Sequence, residues 1–126
     1  GTAIDAVLAS NDGTAGGAIQ ALAEEGLAGK ILVTGQDGDL AACQRIVQGT
    51  QTMTVYKPIK ELARHAAEAA VRLATRRPVI ARAGIDNGKV EVPSILLEIV
   101  PVTRDNLRET IIADGFRSEQ DVFGKP

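Results

Sequence analysis

Three places in this chain put polar side chains directly after, or at the end of, a short run that reads as a strand. Asn11-Asp12 follows Ala6-Val7-Leu8-Ala9-Ser10, Gln36-Asp37 follows Lys30-Ile31-Leu32-Val33-Thr34, and Tyr56-Lys57 ends the run that begins at Thr52. A carboxylate accepts hydrogen bonds, an amide both donates and accepts, and an ammonium donates three. Together such groups match vicinal hydroxyls, which donate and accept in turn, and charge-assisted bonds of this type are the stronger kind. A small polyol or sugar is the natural ligand for this set. The competing reading is that Asn, Asp and Gly simply make turns after strands.

Other chemistry finds less support. Gly13-Thr14-Ala15-Gly16-Gly17 opens a helix, where a phosphate could sit on free N–H groups, but it matches neither G-x-G-x-x-G nor the P-loop. Close helix–sheet packing is the better use of those glycines. The chain has one histidine, His65, and one cysteine, Cys43, so no disulfide framework, cysteine-based zinc site or histidine cluster can form within it. His65 lies mid-helix beside Arg64, and Cys43 falls on an apolar helix face and reads as core. Arg76-Arg77 suits a helix end. Asp12, Asp37 and Asp39 could suggest a metal, but turn and cap roles fit their separation better. No catalytic residue, metal ligand or cofactor is therefore assigned, and the chain reads as a binding protein rather than an enzyme.

The elements that must hold these groups alternate between strand and helix. After the first strand, Ala15, Ala18, Ile19, Leu22 and Ala23 mark one helix face, and Gly26 supplies the stop. After the second strand, Asp39 is a candidate N-cap for a helix with Leu40, Cys43, Ile46 and Val47 inward, closed by Gly49. Pro58 then opens the longest amphipathic helix, with Ile59, Leu62, Ala66, Ala70 and Leu73 on its apolar face, ending near residues 75–78. Residues 81–91 read as a loop with Asp86-Asn87-Gly88 as its turn, and residues 92–102 as an edge or crossover strand broken by Pro93 and Pro101. Asn106 with Glu109 predicts a capping box for a last short helix, and residues 118–126 a loose tail. Three consecutive strand–helix units predict an α/β fold with a parallel sheet, buried on both faces.

The 126 residues are 44% hydrophobic and 24% charged with net charge −2, which is ordinary for a folded chain and leaves no basic footprint for nucleic acid. No apolar run approaches the roughly 20 residues that span a bilayer. Only Tyr56, Phe116 and Phe123 are aromatic, so the core must rest on Val, Ile, Leu and Ala. Gly1 is not an initiator and the strand pattern starts almost at once, which predicts that the chain begins within a longer protein.

Several stretches resemble one family. Ala9-Ser10-Asn11-Asp12-Gly13-Thr14-Ala15-Gly16-Gly17-Ala18-Ile19-Gln20-Ala21-Leu22 is similar to the periplasmic D-xylose-binding proteins of sugar ABC transporters, members of the type I periplasmic-binding-protein family. So are Gly35-Gln36-Asp37 and the specific run Gly49-Thr50-Gln51-Thr52-Met53-Thr54-Val55-Tyr56-Lys57-Pro58-Ile59. Val92-Pro93-Ser94 and Asp114-Gly115-Phe116 match in order and spacing, so the resemblance runs from about Ile4 to Phe116.

The resemblance implies two flavodoxin-like α/β lobes joined by a three-segment hinge and closing on a sugar. This chain would be the C-terminal part, an incomplete lobe with a hinge-crossing C-terminal strand. Residues 1–57 would form strand–helix units of the sugar-binding lobe, residues 58–88 a helix and loop packed on an N-terminal lobe, and residues 89–126 the hinge-crossing strand, a short helix and a tail. Asn11, Asp37 and Lys57 would contact D-xylose or a similar monosaccharide; these are also the strand-end positions reached from residue chemistry alone. The implied partners are the N-terminal lobe and an ABC permease, and the implied location is periplasmic or extracytoplasmic. The alternatives are the sugar-sensing effector domain of a lac-type repressor, or a subunit that reports sugar occupancy to a membrane kinase.

Overall fold

The computed structural model describes residues 3–124. The chain divides into two compact units, Gly1–Lys57 with Ile99–Pro126, and Pro58–Glu98.

The first unit opens with strand β1 (Ala6–Leu8), helix α1 (Asp12–Glu24), strand β2 (Leu32–Thr34), helix α2 (Leu40–Gln48) and strand β3 (Thr54–Tyr56). β1 and β2 pair in parallel with Val7 opposite Val33. That face carries Val7 and Val33 onto Ala15, Ile19 and Leu22 of α1, which form one small core with Ala9 and Ile31. α1 ends as its glycine predicts. Gly26 takes φ +66°, and Leu27 N–H donates to the Leu22 carbonyl at 2.7 Å. α2 ends on Gly49 at φ +82° in the same way.

The expected parallel order extends from β1 and β2 to β3, but the sheet then gains an antiparallel strand. β3 joins β2 through a single parallel bridge, Gln36 with Val55, and pairs antiparallel along its other edge with strand β6 (Val100–Val102). Pro101 sits on β6 opposite Val55, which fits a strand with no neighbour beyond it among the described residues. The expectation of burial on both faces is also corrected. Leu8 is 90% and Leu32 58% exposed, so the face opposite α1 is bare among the described residues.

The larger core lies around α2. Cys43 and Ile46 meet Tyr56 of β3, Val102 of β6, and Leu107, Ile111 and Val122 from the C-terminal segment. That segment departs from the sequence reading twice. Asn106 does not build a capping box; its side chain accepts from Thr103 N–H at 2.8 Å and donates to the Pro101 carbonyl at 3.0 Å, bracing the exit from β6. Residues Arg108–Ile112 then form a wide π-helical turn, with Ile112 N–H reaching the Leu107 carbonyl five residues back. The tail expected to be loose instead contains a short helix, α4 (Glu119–Phe123), capped by Ser118 and anchored by buried Val122.

The second unit holds helix α3 (Ile59–Ala74) and a hairpin of strands β4 (Ala83–Asp86) and β5 (Glu91–Ser94). The turn at Asp86-Asn87-Gly88 is as read, with Gly88 N–H on Asp86 Oδ1 and the Lys89 and Val90 amides on Asn87 Oδ1. The strand before that turn was missed. α3 buries none of its residues, so its apolar stripe is a solvent face here and not a core face.

Gly35, at the end of β2, has a packing reason for being glycine. A Cβ there would collide with Asp12 Oδ1 and lie 2.6 Å from Gln51 Nε2. Neither atom can retreat without breaking a buried hydrogen bond. Gly35→Ala should therefore lower the unfolding free energy by about 2 kcal/mol, read from urea melts of the intact protein; an unchanged midpoint would contradict this packing.

Candidate functional site

The carboxyl ends of β1 and β2, the start of the turn after β2 and the end of β3 gather at one edge of the first unit. Asp12 N–H donates to the Gln36 carbonyl at 2.8 Å, joining the first loop to the second. Asp37 N–H donates to the Val55 carbonyl at 2.9 Å, joining the second to β3. These two backbone bonds bring the three sequence-predicted residues into one neighbourhood.

Asn11 serves first as the N-cap of α1. Its Oδ1 accepts the Thr14 N–H at 2.8 Å. That bond fixes the amide orientation, and the Asn11 Nδ2 group donates to no protein atom among the described residues. The turn-residue reading and the ligand reading are thus compatible: one end of the amide caps, the other remains exposed as a donor pair. Asp37 and Lys57 form an ion pair, Nζ to Oδ1 at 2.8 Å, with both side chains still about 40% exposed. Asp37 is also a non-glycine residue in left-handed backbone, at φ 110°. Such a conformation costs on the order of 1–3 kcal/mol and persists where its surroundings over-determine it.

The residue that the sequence reading undervalued is Asp12. It was taken as a turn or cap residue, yet it is 1% exposed. Its carboxylate accepts from the Asp39 amide, the Thr54 hydroxyl and the Gln51 side-chain amide, each at 2.9 Å. Arg45 braces the same cluster, donating to Gln51 Oε1 and to the Asp12 carbonyl, both at 2.9 Å. A buried carboxylate is tolerable only with this degree of satisfaction. The one available signal was the polar pair Gln51 and Thr54 on the approach to an otherwise apolar strand.

A second layer lies beneath the Asp37 loop. Tyr56 Oη donates a hydrogen bond to Asp114 Oδ2, and its ring meets Phe116 with centroids 5.0 Å apart. Arg117 lies over Phe116 and donates from Nε to the Gly38 carbonyl at 3.0 Å. The Asp114-Gly115-Phe116 stretch therefore supports the loop that carries Asp37. Cys43, beside it, is buried, and that burial pushes its thiol up to about 11. It is an inert core group.

A parallel strand–helix lobe that gathers an amide, a carboxylate and an ammonium at its strand ends has the build of the binding lobe of an α/β receptor. The chain belongs to the periplasmic binding protein domain family, whose model matches residues 1–78. It is 53% identical over 120 residues to the D-xylose-binding periplasmic protein of Haemophilus influenzae, covering 95% of this chain and 36% of that protein. The protein of the same name from Escherichia coli is 54% identical over 119 residues, covering 94% of this chain and 36% of that protein. The chain thus spans about a third of the length of these relatives. Among solved structures, a carbohydrate transporter solute-binding protein from Chloroflexus aurantiacus in complex with D-glucose matches 92% of this chain and 34% of its own, at TM-score 0.84 and 40% identity.

Burial, and then the bond to Asp114, push the Tyr56 phenol up from 10.0 to about 12. The unfolded chain therefore releases this proton first as pH rises. The stabilisation is complete below pH 10 and is lost as pH climbs from 10 towards 12. The difference in unfolding free energy between wild type and Tyr56→Phe should shrink across that interval; a difference that stays constant would contradict the assignment.

Proposed function

We propose that this chain supplies the ligand-binding strand ends of the substrate-binding component of a sugar ABC transporter, in which D-xylose is captured between two lobes and delivered to a membrane permease without chemical change. Asn11, Asp37 and Lys57 are its sugar contacts: the Asn11 amide and the Lys57 ammonium donate to hydroxyls, and the Asp37 carboxylate accepts from them. The location is periplasmic. The observation that carries the reading is the Asp37–Lys57 pair at 2.8 Å, exposed at the strand-end edge that also carries Asn11. Such a set of donors and acceptors suits a neutral polyhydroxy ligand. The names of the two D-xylose-binding relatives, each more than half identical to this chain, support D-xylose as that ligand.

The remainder of the chain takes its place in the same scheme. Residues 1–57 belong to the sugar-binding lobe. Residues 58–88, which hold α3 and strand β4, pack on the other lobe, and residues 89–126 contain the strand that crosses the hinge. The uncovered α3 supports this, since Ile59, Leu62, Val71 and Leu73 are all exposed. A sugar that touches both lobes stabilises the closed arrangement only while it is bound.

Calorimetric titration of the full-length protein with D-xylose tests the reading. Asp37→Ala should weaken binding by about 2 kcal/mol, roughly thirtyfold in Kd, because it removes a charged acceptor and leaves Lys57 unpaired. Unchanged affinity in that variant would remove Asp37 from the site.

A further inference from the structure

We infer that the Thr54 hydroxyl, held by the Asp12 carboxylate, is the positioning group for Asp37. Three successive amides of the Asp37 loop are each engaged by a different acceptor. Asp37 N–H goes to the Val55 carbonyl at 2.9 Å, Gly38 N–H to Thr54 Oγ1 at 3.2 Å, and Asp39 N–H to Asp12 Oδ2 at 2.9 Å. Thr54 occupies the middle of this ladder and is fully buried. Its hydroxyl donates to Asp12 Oδ2 at 2.9 Å and so presents a lone pair to Gly38. A hydroxyl is the smallest side-chain group that can accept from one neighbour and donate to the next.

The ladder explains how a non-glycine residue keeps φ at 110°. A loop closed by Val55 alone could relax Asp37 towards ordinary backbone and turn its carboxylate away from Lys57. The Gly38 bond prevents that relaxation from the C-terminal side, and Arg117 on the Gly38 carbonyl blocks the opposite peptide rotation. Neither Thr54 nor Asp12 can reach a ligand, because both are withdrawn from solvent. They act through the backbone conformation of Asp37. The inference rests on Asp37 being a sugar contact, as proposed above.

The test compares Thr54→Val, which keeps the shape and removes the hydroxyl, with Thr54→Ser, which keeps the hydroxyl. Both are made in the full-length protein, checked by thermal melts to be folded at the titration temperature, and titrated with D-xylose. Amide hydrogen exchange at Gly38 and Asp39 is followed in the sugar-free state. Thr54→Val should weaken D-xylose binding about tenfold or more and speed exchange at both amides, and Thr54→Ser should restore both. Asp12→Asn should reproduce the faster exchange at Asp39. A merely structural role would lower the melting temperature and leave affinity of the folded protein unchanged, which would overturn the inference. Unchanged exchange at Gly38 in Thr54→Val would overturn it too. A wild-type protein that binds no D-xylose would overturn the sugar reading and this inference together, and is recognised by the flat wild-type isotherm.

Discussion

A single carboxylate taken out of water organises this fold. Asp12 begins α1, immediately after β1, and its side chain reaches across to the turn after β2 and to the approach to β3. Leaving such a group buried and unpaired would cost several kcal/mol. The rest of the lobe is arranged so that this never occurs. Gly35 leaves room for it, Gln51 and Thr54 supply donors from one side, and the Asp39 amide closes the loop from the other. Strand ends that would otherwise be three independent loops become one rigid edge.

That rigidity is what the exposed groups exploit. Asn11 stands one residue before Asp12, Asp37 two residues before Asp39, and Lys57 three residues after Thr54. Each proposed ligand contact is thus displaced by a short stretch of backbone from a member of the buried network. In the proposed reading, the interior polar groups set the geometry and the surface polar groups recognise the sugar. The C-terminal segment adds a second support through Tyr56 with Asp114 and through Arg117 on the Gly38 carbonyl, so the chain must return from its second unit before the Asp37 loop is complete.

Much of this was legible in the residues. The strand ends at Asn11, Asp37 and Lys57 follow from apolar runs punctuated by Gly, Asn and Asp, and the helix stops follow from Gly26 and Gly49. What could not be read depends on contacts distant in sequence. Asp12 looks like any first-turn acid until Thr54, 42 positions away, is brought beside it. β4 was missed because Ala83-Gly84-Ile85-Asp86 has one β-branched residue and a glycine, and is a strand only because β5 pairs with it. The capping box failed because Asn106 finds better partners in Thr103 and Pro101, and the tail orders because Val122 has a core to enter. The α3 stripe was read correctly as amphipathic, but periodicity says nothing of whether a partner covers it.

The central claim is that a sugar meets the chain at the edge that Asp12 rigidifies. It is tested most directly by nitrogen-15 NMR of the full-length protein titrated with D-xylose, following the Asn11 side-chain amide, the Asp37 backbone amide and the Lys57 ammonium. All three should shift and saturate together, while the Thr14 amide stays nearly still because Asn11 Oδ1 keeps capping it. Saturation with sugar that leaves the Asn11, Asp37 and Lys57 signals unmoved would contradict the account.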